Sequence, residues 1–591
     1  MARSRLFTLL AVAGLAFSAC SGAAVTQAPS SAAPAVSTAP AAGSAAPSPG
    51  ASTAAGAPKE GGTLVVGLDG DMVYADPSLI SDSNSSYVDA QVVQGLVGLK
   101  PGTVSDVIPV LAAAMPTVSA DGKTYTFTLR TGIKFHDGTP FNAAAVKYNY
   151  DRWKNFPAGP LQDNAYYYGA VFGGFGASSN IASVDAPNDT TVIFHLKQPQ
   201  SNFLISQTIQ PFGIQSPAAL AAGDANNPQL DKNPYAQGQG GVGKSMVGTG
   251  PFMFKEWVPN DHVTLVKNPN YWDPAGMAHL DQIVFKPFKD QTAKLQALQS
   301  GDIDFAQTVS PSDVQTIQSS GNLQVIDRGQ SCNIGQISMN QDPNTKGADD
   351  PAGHKLLQNK DIRMAIAYAV NKQAYIQAFY AGLAKPADNW MPPSTQYYKP
   401  ENLPTYDPTK AKQLIQQSGV PANQLTIDLY YPSDVVRPYM PDPKGLAQAI
   451  AQDLQAVGFT INLKSEGWRT GYISDEEVGK FPMWLLGWTC DWAGPDNFLL
   501  TAFFHYNGNT PSPEFAYRND ELNQTMTAAL AATDSTQIQA LWQKAQDLIA
   551  ADMPTVPLVN SAPPGAAAKY VMGFVGAGNL TEEFNSVWLN K

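Results

Sequence analysis

Charge is absent from one long stretch of this chain. Between Ser21 and Pro58 there is no Asp, Glu, Lys, Arg or His, and almost every residue is Ala, Ser, Pro, Gly or Thr. Such a segment has too little bulky apolar surface to offset the entropy of ordering it. Cysteine is scarce as well: Cys20, Cys332 and Cys490 are the only three. None sits in a Cys-x-x-Cys pair, which argues against dithiol redox chemistry and cysteine-rich zinc sites. The six histidines are scattered without a His-x-x-x-His spacing, so hydrogen-bonding or surface roles suit them better than metal ligation. Basic residues are outnumbered, 37 Lys and Arg against 49 Asp and Glu, for a net charge of −12, which excludes the electrostatic footprint of a nucleic-acid binder. Beyond the N-terminus no run reaches the ~18 apolar residues of a membrane span. Neither G-x-S-x-G nor H-E-x-x-H occurs, so the common hydrolase signatures are missing, and the chain is not expected to be an enzyme or to carry a cofactor.

What is present begins at the first residue. Arg3 and Arg5 precede an apolar run from Leu6 to Phe17, followed by Phe17-Ser18-Ala19-Cys20. This is the layout of a bacterial secretory signal, residues 1–20, ending in a lipobox. A lipobox usually has Leu where this chain has Phe17. Cys20 would be acylated and become the mature N-terminus. Residues 21–60 would be a tether, with a reach of roughly 35 Å at ~5–6 Å × √n. The expected location is the extracytoplasmic face of a membrane, held by lipid alone. If Cys20 carries lipid, Cys332 and Cys490 remain as an even pair in an oxidising compartment, which invites one disulfide.

The body is mixed α and β. Thr63-Leu64-Val65-Val66 opens it as an apolar strand. Tyr125, Phe127 and Leu129 alternate after an Asp121-Gly122 turn, and Val192, Phe194 and Leu196 repeat the pattern. Asp407-Pro408 begins a helix with Ala411, Leu414 and Ile415 on one face and Gly419 at its end. Leu446 to Val457 forms another, stopped by Gly458, and Phe459, Ile461 and Leu463 then alternate as a strand. One motif misleads. Gly238-Gln239-Gly240-Gly241-Val242-Gly243-Lys244-Ser245 fits the phosphate-loop pattern letter for letter. That chemistry needs a strand before the loop and a helix after it. Neither flank, Asp231 to Tyr235 or Met246 to Pro251, has that character.

Several segments are more specific. They are Phe135-His136-Asp137-Gly138-Thr139-Pro140-Phe141; Gly248-Thr249-Gly250-Pro251-Phe252 with Asn268-Pro269-Asn270-Tyr271-Trp272; Asp361-Ile362-Arg363 through Val370 with Gly382 and Pro392-Pro393; and Asp407-Pro408-Thr409-Lys410-Ala411. In this order they resemble the hallmarks of the extracytoplasmic solute-binding proteins of the peptide/nickel ABC transporter group, family 5. The resemblance runs from about Gly61 to the C-terminus. It implies a type II periplasmic-binding fold, with two hinged α/β lobes and an extra subdomain inserted in the first. The expected division is lobe I at 61–85, 240–328 and 556–591, the inserted subdomain at 86–239, and lobe II at 329–555. It also implies a ligand held in the cleft, a monomer, and delivery to the permease subunits of an ABC importer.

Two segments are closest to the dipeptide/oligopeptide-binding branch: Val436-Arg437-Pro438-Tyr439-Met440-Pro441, and Gly487-Trp488-Thr489-Cys490-Asp491-Trp492-Ala493-Gly494-Pro495-Asp496-Asn497. By this resemblance Arg437 meets a peptide's C-terminal carboxylate and Asp491 its ammonium, with Tyr439, Trp468, Trp488, Thr489 and Trp492 around them. A zwitterion enclosed in a dry cleft needs both charges met. Arg437 and Asp491 pairing with each other or with neighbouring residues is the bland alternative. Relatives also carry a cross-link between segments close to Cys332 and Cys490. Where the family often has Asp, this chain has Gly494. The tryptophans at 468, 484, 488 and 492 keep an oligosaccharide ligand open as the rival, through ring stacking on sugar faces.

Overall fold

In the strand Thr63–Leu68 both Leu64 and Val66 are fully buried, and this strand sits in the middle of a larger sheet. A computed structural model describes residues 57–591 apart from 241–243, 330 and 508–509. Cys20 and nearly all of the tether lie outside the described residues. A seven-stranded sheet runs Leu323–Ile326, Gly565–Ala568, Phe305–Ala306, Thr63–Leu68, Gln282–Pro287, His262–Lys267, Phe252–Val258. Thr63–Leu68 pairs in parallel with its neighbours on both sides, and Gly565–Ala568 lies antiparallel between two others.

A second sheet has six strands in the order Ala384–Pro386, Val556–Ser561, Asn333–Met339, Met483–Thr489, Thr426–Pro432, Thr460–Glu466. Helix Pro443–Val457 packs against it, and helix Pro408–Gln417 packs on Pro443–Val457 and on Lys360–Ala369 within the same core. Helix Pro443–Val457 begins one turn before the expected Leu446, because Asp442 caps it and Pro443 occupies its first position. Leu463 is exposed rather than inward: Thr460–Glu466 is an edge strand, and Ile461 alone of its side chains is well buried.

Residues between the first two strands of the seven-stranded sheet build a separate unit. Its four-stranded sheet, Thr117–Val118, Thr124–Thr128, Thr191–Leu196, Ile181–Asn188, carries the alternating Tyr125, Phe127, Val192 and Phe194. Its core reaches from Leu79 to Val247, while Tyr87, Val88, Val92 and Val93 belong to the core under the seven-stranded sheet. The described part of the 238–245 loop joins no helix: Met246 has φ 48° and the next element is the strand Phe252–Val258. Ser245 spends its hydroxyl on the Tyr235 carbonyl, 3.0 Å away.

The chain passes between the two large sheets twice, at 326–333 and 561–565. The expected return at 556 is therefore later. Val556–Ser561 completes the six-stranded sheet, pairing with Asn333–Met339 and Ala384–Pro386, and Gly565 is the first residue back. The crossings lie side by side. Asn333 Nδ2 donates to the Ser561 carbonyl (2.7 Å), the Ser561 N–H donates to Asn333 Oδ1 (3.1 Å), and Asn560 Nδ2 donates to the Asn333 carbonyl (2.9 Å). Arg328 adds a buried ion pair with Glu582 and donates to the carbonyls of Pro563 and Gln307.

Candidate functional site

The strands Asn333–Met339 and Met483–Thr489 pair antiparallel, with Gly335 opposite Gly487 and Asn333 opposite Thr489. The two glycines leave a shallow saddle, and a tight turn lies on it. Arg437 and Met440 exchange backbone hydrogen bonds of 3.1 and 2.8 Å, which presents Pro438 and Tyr439 to the sheet. A Cβ on Gly487 would come 2.4 Å from the Tyr439 ring, and one on Gly335 would come 2.7 Å from the Tyr439 carbonyl, closer than real contacts allow. Tyr380 and Ser561 fasten the turn by donating to the carbonyls of Tyr439 (2.8 Å) and Pro438 (2.6 Å). Tyr439 is consequently buried and forms part of the floor.

One residue past the last strand pair, Cys332 and Cys490 form a disulfide with Cα atoms 5.5 Å apart, and the Cys490 N–H donates to the Cys332 carbonyl at 2.8 Å. Asp491 follows immediately, half-buried. Its Oδ2 accepts from Asn497 Nδ2 (2.9 Å), and its Oδ1 accepts from the Tyr167 hydroxyl (2.7 Å) of the inserted unit. Burial raises its pKa against the lowering effect of these neutral donors. Asn497 Oδ1 in turn accepts from the Asp491 N–H (3.0 Å) and from Trp488 Nε1 (3.1 Å). Trp488 and Thr489 are half-buried beside it.

Arg437 is half-buried, and its guanidinium lies 4.7 Å from the centroid of the Trp468 ring. Its Nε is buried without a hydrogen-bond partner, and among the described residues it forms no ion pair. Trp468 stacks in turn on Tyr472, 5.7 Å away with the rings 20° apart. Arg437 and Asp491 thus do not neutralise each other. Two tryptophans go elsewhere. Trp484 is fully buried against Phe515. Trp492 enters the core of the inserted unit, with Nε1 donating to Asp496 Oδ2 (2.9 Å). Asn202 donates to that same oxygen (2.6 Å), so Trp492 and Asp496 join two parts of the molecule. Burial pushes the Asp496 carboxyl up to about 6.

Sequence reasoning missed Tyr167 and Asn497. Asn497 stands six residues from Asp491 and could have been found by asking what a buried carboxylate there would need. No sequence signal links Tyr167 to a partner 324 positions away. Among the described residues no three His, Cys, Asp or Glu side chains cluster to hold a metal, and no helix is long and apolar enough to cross a membrane.

The bacterial extracellular solute-binding proteins, family 5 (middle region), match this chain over residues 106–510. The chain belongs to that family. Among its relatives is the glutathione-binding protein GsiB of Escherichia coli K12, 30% identical over 523 residues that cover 86% of this chain and 91% of that protein. The fold matches the ABC transporter-associated periplasmic binding protein DppA of Helicobacter pylori, solved with the peptide STSA, at a TM-score of 0.70 and 28% identity over 90% of this chain and 99% of that one. It also matches a dipeptide-binding protein of a Pseudoalteromonas species, solved with Met-Leu, at a TM-score of 0.71 and 24% identity over 90% and 100%. The six- and seven-stranded sheets are therefore the frames of a family 5 solute-binding fold.

Proposed function

We propose that this protein captures a short peptide between its two lobes and delivers it to the permease of an ABC importer, binding its ligand without converting it. The carrying observation is a pair of opposite charges on one lobe that leave each other alone. Among the described residues the Asp491 carboxylate is held by neutral donors, and the Arg437 guanidinium lies over a ring face without an ion pair. A buried charge without a counter-charge is costly. A zwitterionic peptide supplies both partners, its ammonium to Asp491 and its carboxylate to the Arg437 fork. Trp488, Thr489, Tyr439 and Trp468 would line the path between them. The relatives named for glutathione and the H. pylori protein bound to STSA support the same ligand class.

The paired crossings would act as the hinge, and ligand would shift the population toward the closed form. Acylated Cys20 and the uncharged tether would hold the monomeric body outside the membrane. The deciding experiment is mass spectrometry of the ligand released by denaturing protein purified from its host. A short peptide is expected. An oligosaccharide released in stoichiometric amount would replace this reading.

A further inference from the structure

Asp496 lies where the inserted unit meets the second lobe, and half of its carboxylate has no partner. Its Oδ2 accepts from Trp492 Nε1 (2.9 Å) and from Asn202 Nδ2 (2.6 Å). Its Oδ1 is buried and accepts nothing, and Asn202 Oδ1 is likewise buried without a donor. Asn202 precedes the short helix Phe203–Ser206, which belongs to the core of the inserted unit. Asp496 is 4% exposed. A Cβ on Gly494 would come 2.4 Å from Asp496 Oδ1, so the carboxylate folds back over a position that only glycine leaves open.

The two orphaned oxygens belong to one hydrogen-bonded pair, and both residues line one small cavity. It measures about 10 Å³ and is closed by Ser201, Gln396, Tyr397 and Trp542, among others. That is the lower limit for a single water and too small for a hydrated ion. Among the described residues no Lys, Arg, His or second carboxylate lines it. Tyr397 is its other titratable side chain, and burial raises the pKa of that hydroxyl. Charges farther along the surrounding elements are met elsewhere: Lys399 pairs with Glu401 and Asp547, and Asp491 is held by Asn497 and Tyr167. Nothing here favours an ionised Asp496 except the two neutral donors, and burial outweighs them. A hydrogen on Oδ1 needs no extra room and supplies the donor that the pair lacks. Acid and amide can then exchange two hydrogen bonds, O–H to Asn202 Oδ1 and N–H to Asp496 Oδ2.

We infer that Asp496 and Asn202 form a proton-operated latch, fastened when the acid is protonated, that holds the inserted unit against the second lobe. Parting the two surfaces would return Asp496 to water and to the ordinary carboxylate range. The assembled interface therefore holds the proton more tightly than the parted one, and it is firmest below about pH 4 and loosens as pH rises through about 6. Because the inserted unit also brings Tyr167 to Asp491, loosening this interface frees one of the groups that hold the ligand site.

The test is residue-resolved hydrogen exchange of the full-length protein without ligand, at about pH 5 and about pH 7.5, corrected for the intrinsic pH dependence of exchange. The reporter is the Ser201 amide, which donates across the interface to the Leu530 carbonyl at 2.8 Å. In the wild type its protection should fall about tenfold at the higher pH. In Asp496→Asn an amide–amide pair keeps both hydrogen bonds at either pH, so the two values should agree within about twofold. Asn202→Asp places two acids in the pair, and the fall should exceed that of the wild type. Protection independent of pH in the wild type, or a fall that survives in Asp496→Asn, would overturn the inference. Should Asp496→Asn fail to fold, Asn202→Asp decides, and a fall no larger than the wild type's would overturn it. Ligand plays no part in these measurements, so their failure leaves the peptide reading standing.

Discussion

Asn497 holds Asp491 with both ends of its amide. Its Nδ2 reaches the carboxylate at 2.9 Å and its Oδ1 takes the Asp491 backbone N–H at 3.0 Å. The same Oδ1 takes the Trp488 indole N–H at 3.1 Å. One fully buried side chain therefore sets the position of the proposed ammonium acceptor and of the aromatic ring beside it. Replacing Asn497 with Leu removes three hydrogen bonds and strands two buried N–H groups, at about 1–3 kcal/mol for such losses. Peptide affinity should fall roughly ten- to a hundredfold. The sharper readout is discrimination: wild type should distinguish a free from an acetylated amine strongly, and Asn497→Leu weakly. Unchanged discrimination would mean that Asn497 does not position Asp491.

The charge mutants test the ligand class. Asp491→Asn and Arg437→Met should each weaken peptide binding by about 2–5 kcal/mol, because each strands one charge of the ligand, or roughly thirty-fold to several thousand-fold. Acetylating the peptide's amine should mimic the first change, and amidating its carboxylate the second. Near-native affinity for the natural ligand in both mutants, with loss in Trp468→Ala or Trp488→Ala, would point to a sugar.

The disulfide is expected to steady both the fold and the site, because Cys490 directly precedes Asp491. It closes a loop with a sequence separation of 158. By chain entropy such a closure contributes up to ~5 kcal/mol, usually less. Cys332→Ser with Cys490→Ser should lower the urea midpoint accordingly. Thiol titration of the unreduced, denatured wild type should find neither cysteine free; two free thiols would remove this expectation.

Asp496 should make stability depend on pH. Its carboxyl titrates near 6 in the folded chain against an ordinary value of 3.8. A raised folded pKa means that the native state holds a proton the unfolded chain releases. The favourable contribution is complete below about pH 4 and is lost as pH rises through about 6. Asp496→Asn keeps an oxygen for Asn202 and Trp492 without the charge. The variant should be more stable than wild type at pH 7.5 by about 2–3 kcal/mol, at 1.36 kcal/mol per pKa unit. Near pH 4 the two should converge. Urea unfolding at both pH values measures this, and an equal difference at both would show that Asp496 is not the titrating group.

Local structure was the legible part of this sequence. Pro408–Gln417 announces itself through Asp407, Pro408 and Gly419, because caps are chemical requirements of helix ends. Tyr125, Phe127 and Leu129 alternate because one side of their strand is core. What escaped was the assignment of segments to sheets. Val556–Ser561 is buried along its whole length, and such a run carries no mark of which sheet receives it. The site divides the same way. Arg437 and Asp491 stand out as charges in distinctive surroundings. The burial of Trp492 in another unit's core and the approach of Tyr167 depend on tertiary packing, to which period and composition are blind. The phosphate-loop match shows the converse, since its letters agree while its flanks do not.

The strand Gly565–Ala568 lies between Phe305–Ala306 and Leu323–Ile326 rather than at an edge. A chain that emerges N-terminus first therefore presents a sheet with a gap in its interior until Gly565–Ala568 appears. Both flanking strands wait with unpaired backbone groups, while the six-stranded sheet already has every strand through Ser561. The two lobes thus mature in sequence: the one bearing Arg437 and Asp491 can finish first, and the other only once Gly565–Ala568 has been made. A product truncated before Gly565 would present half of the cleft on a folded lobe while the other lobe stayed open to proteases.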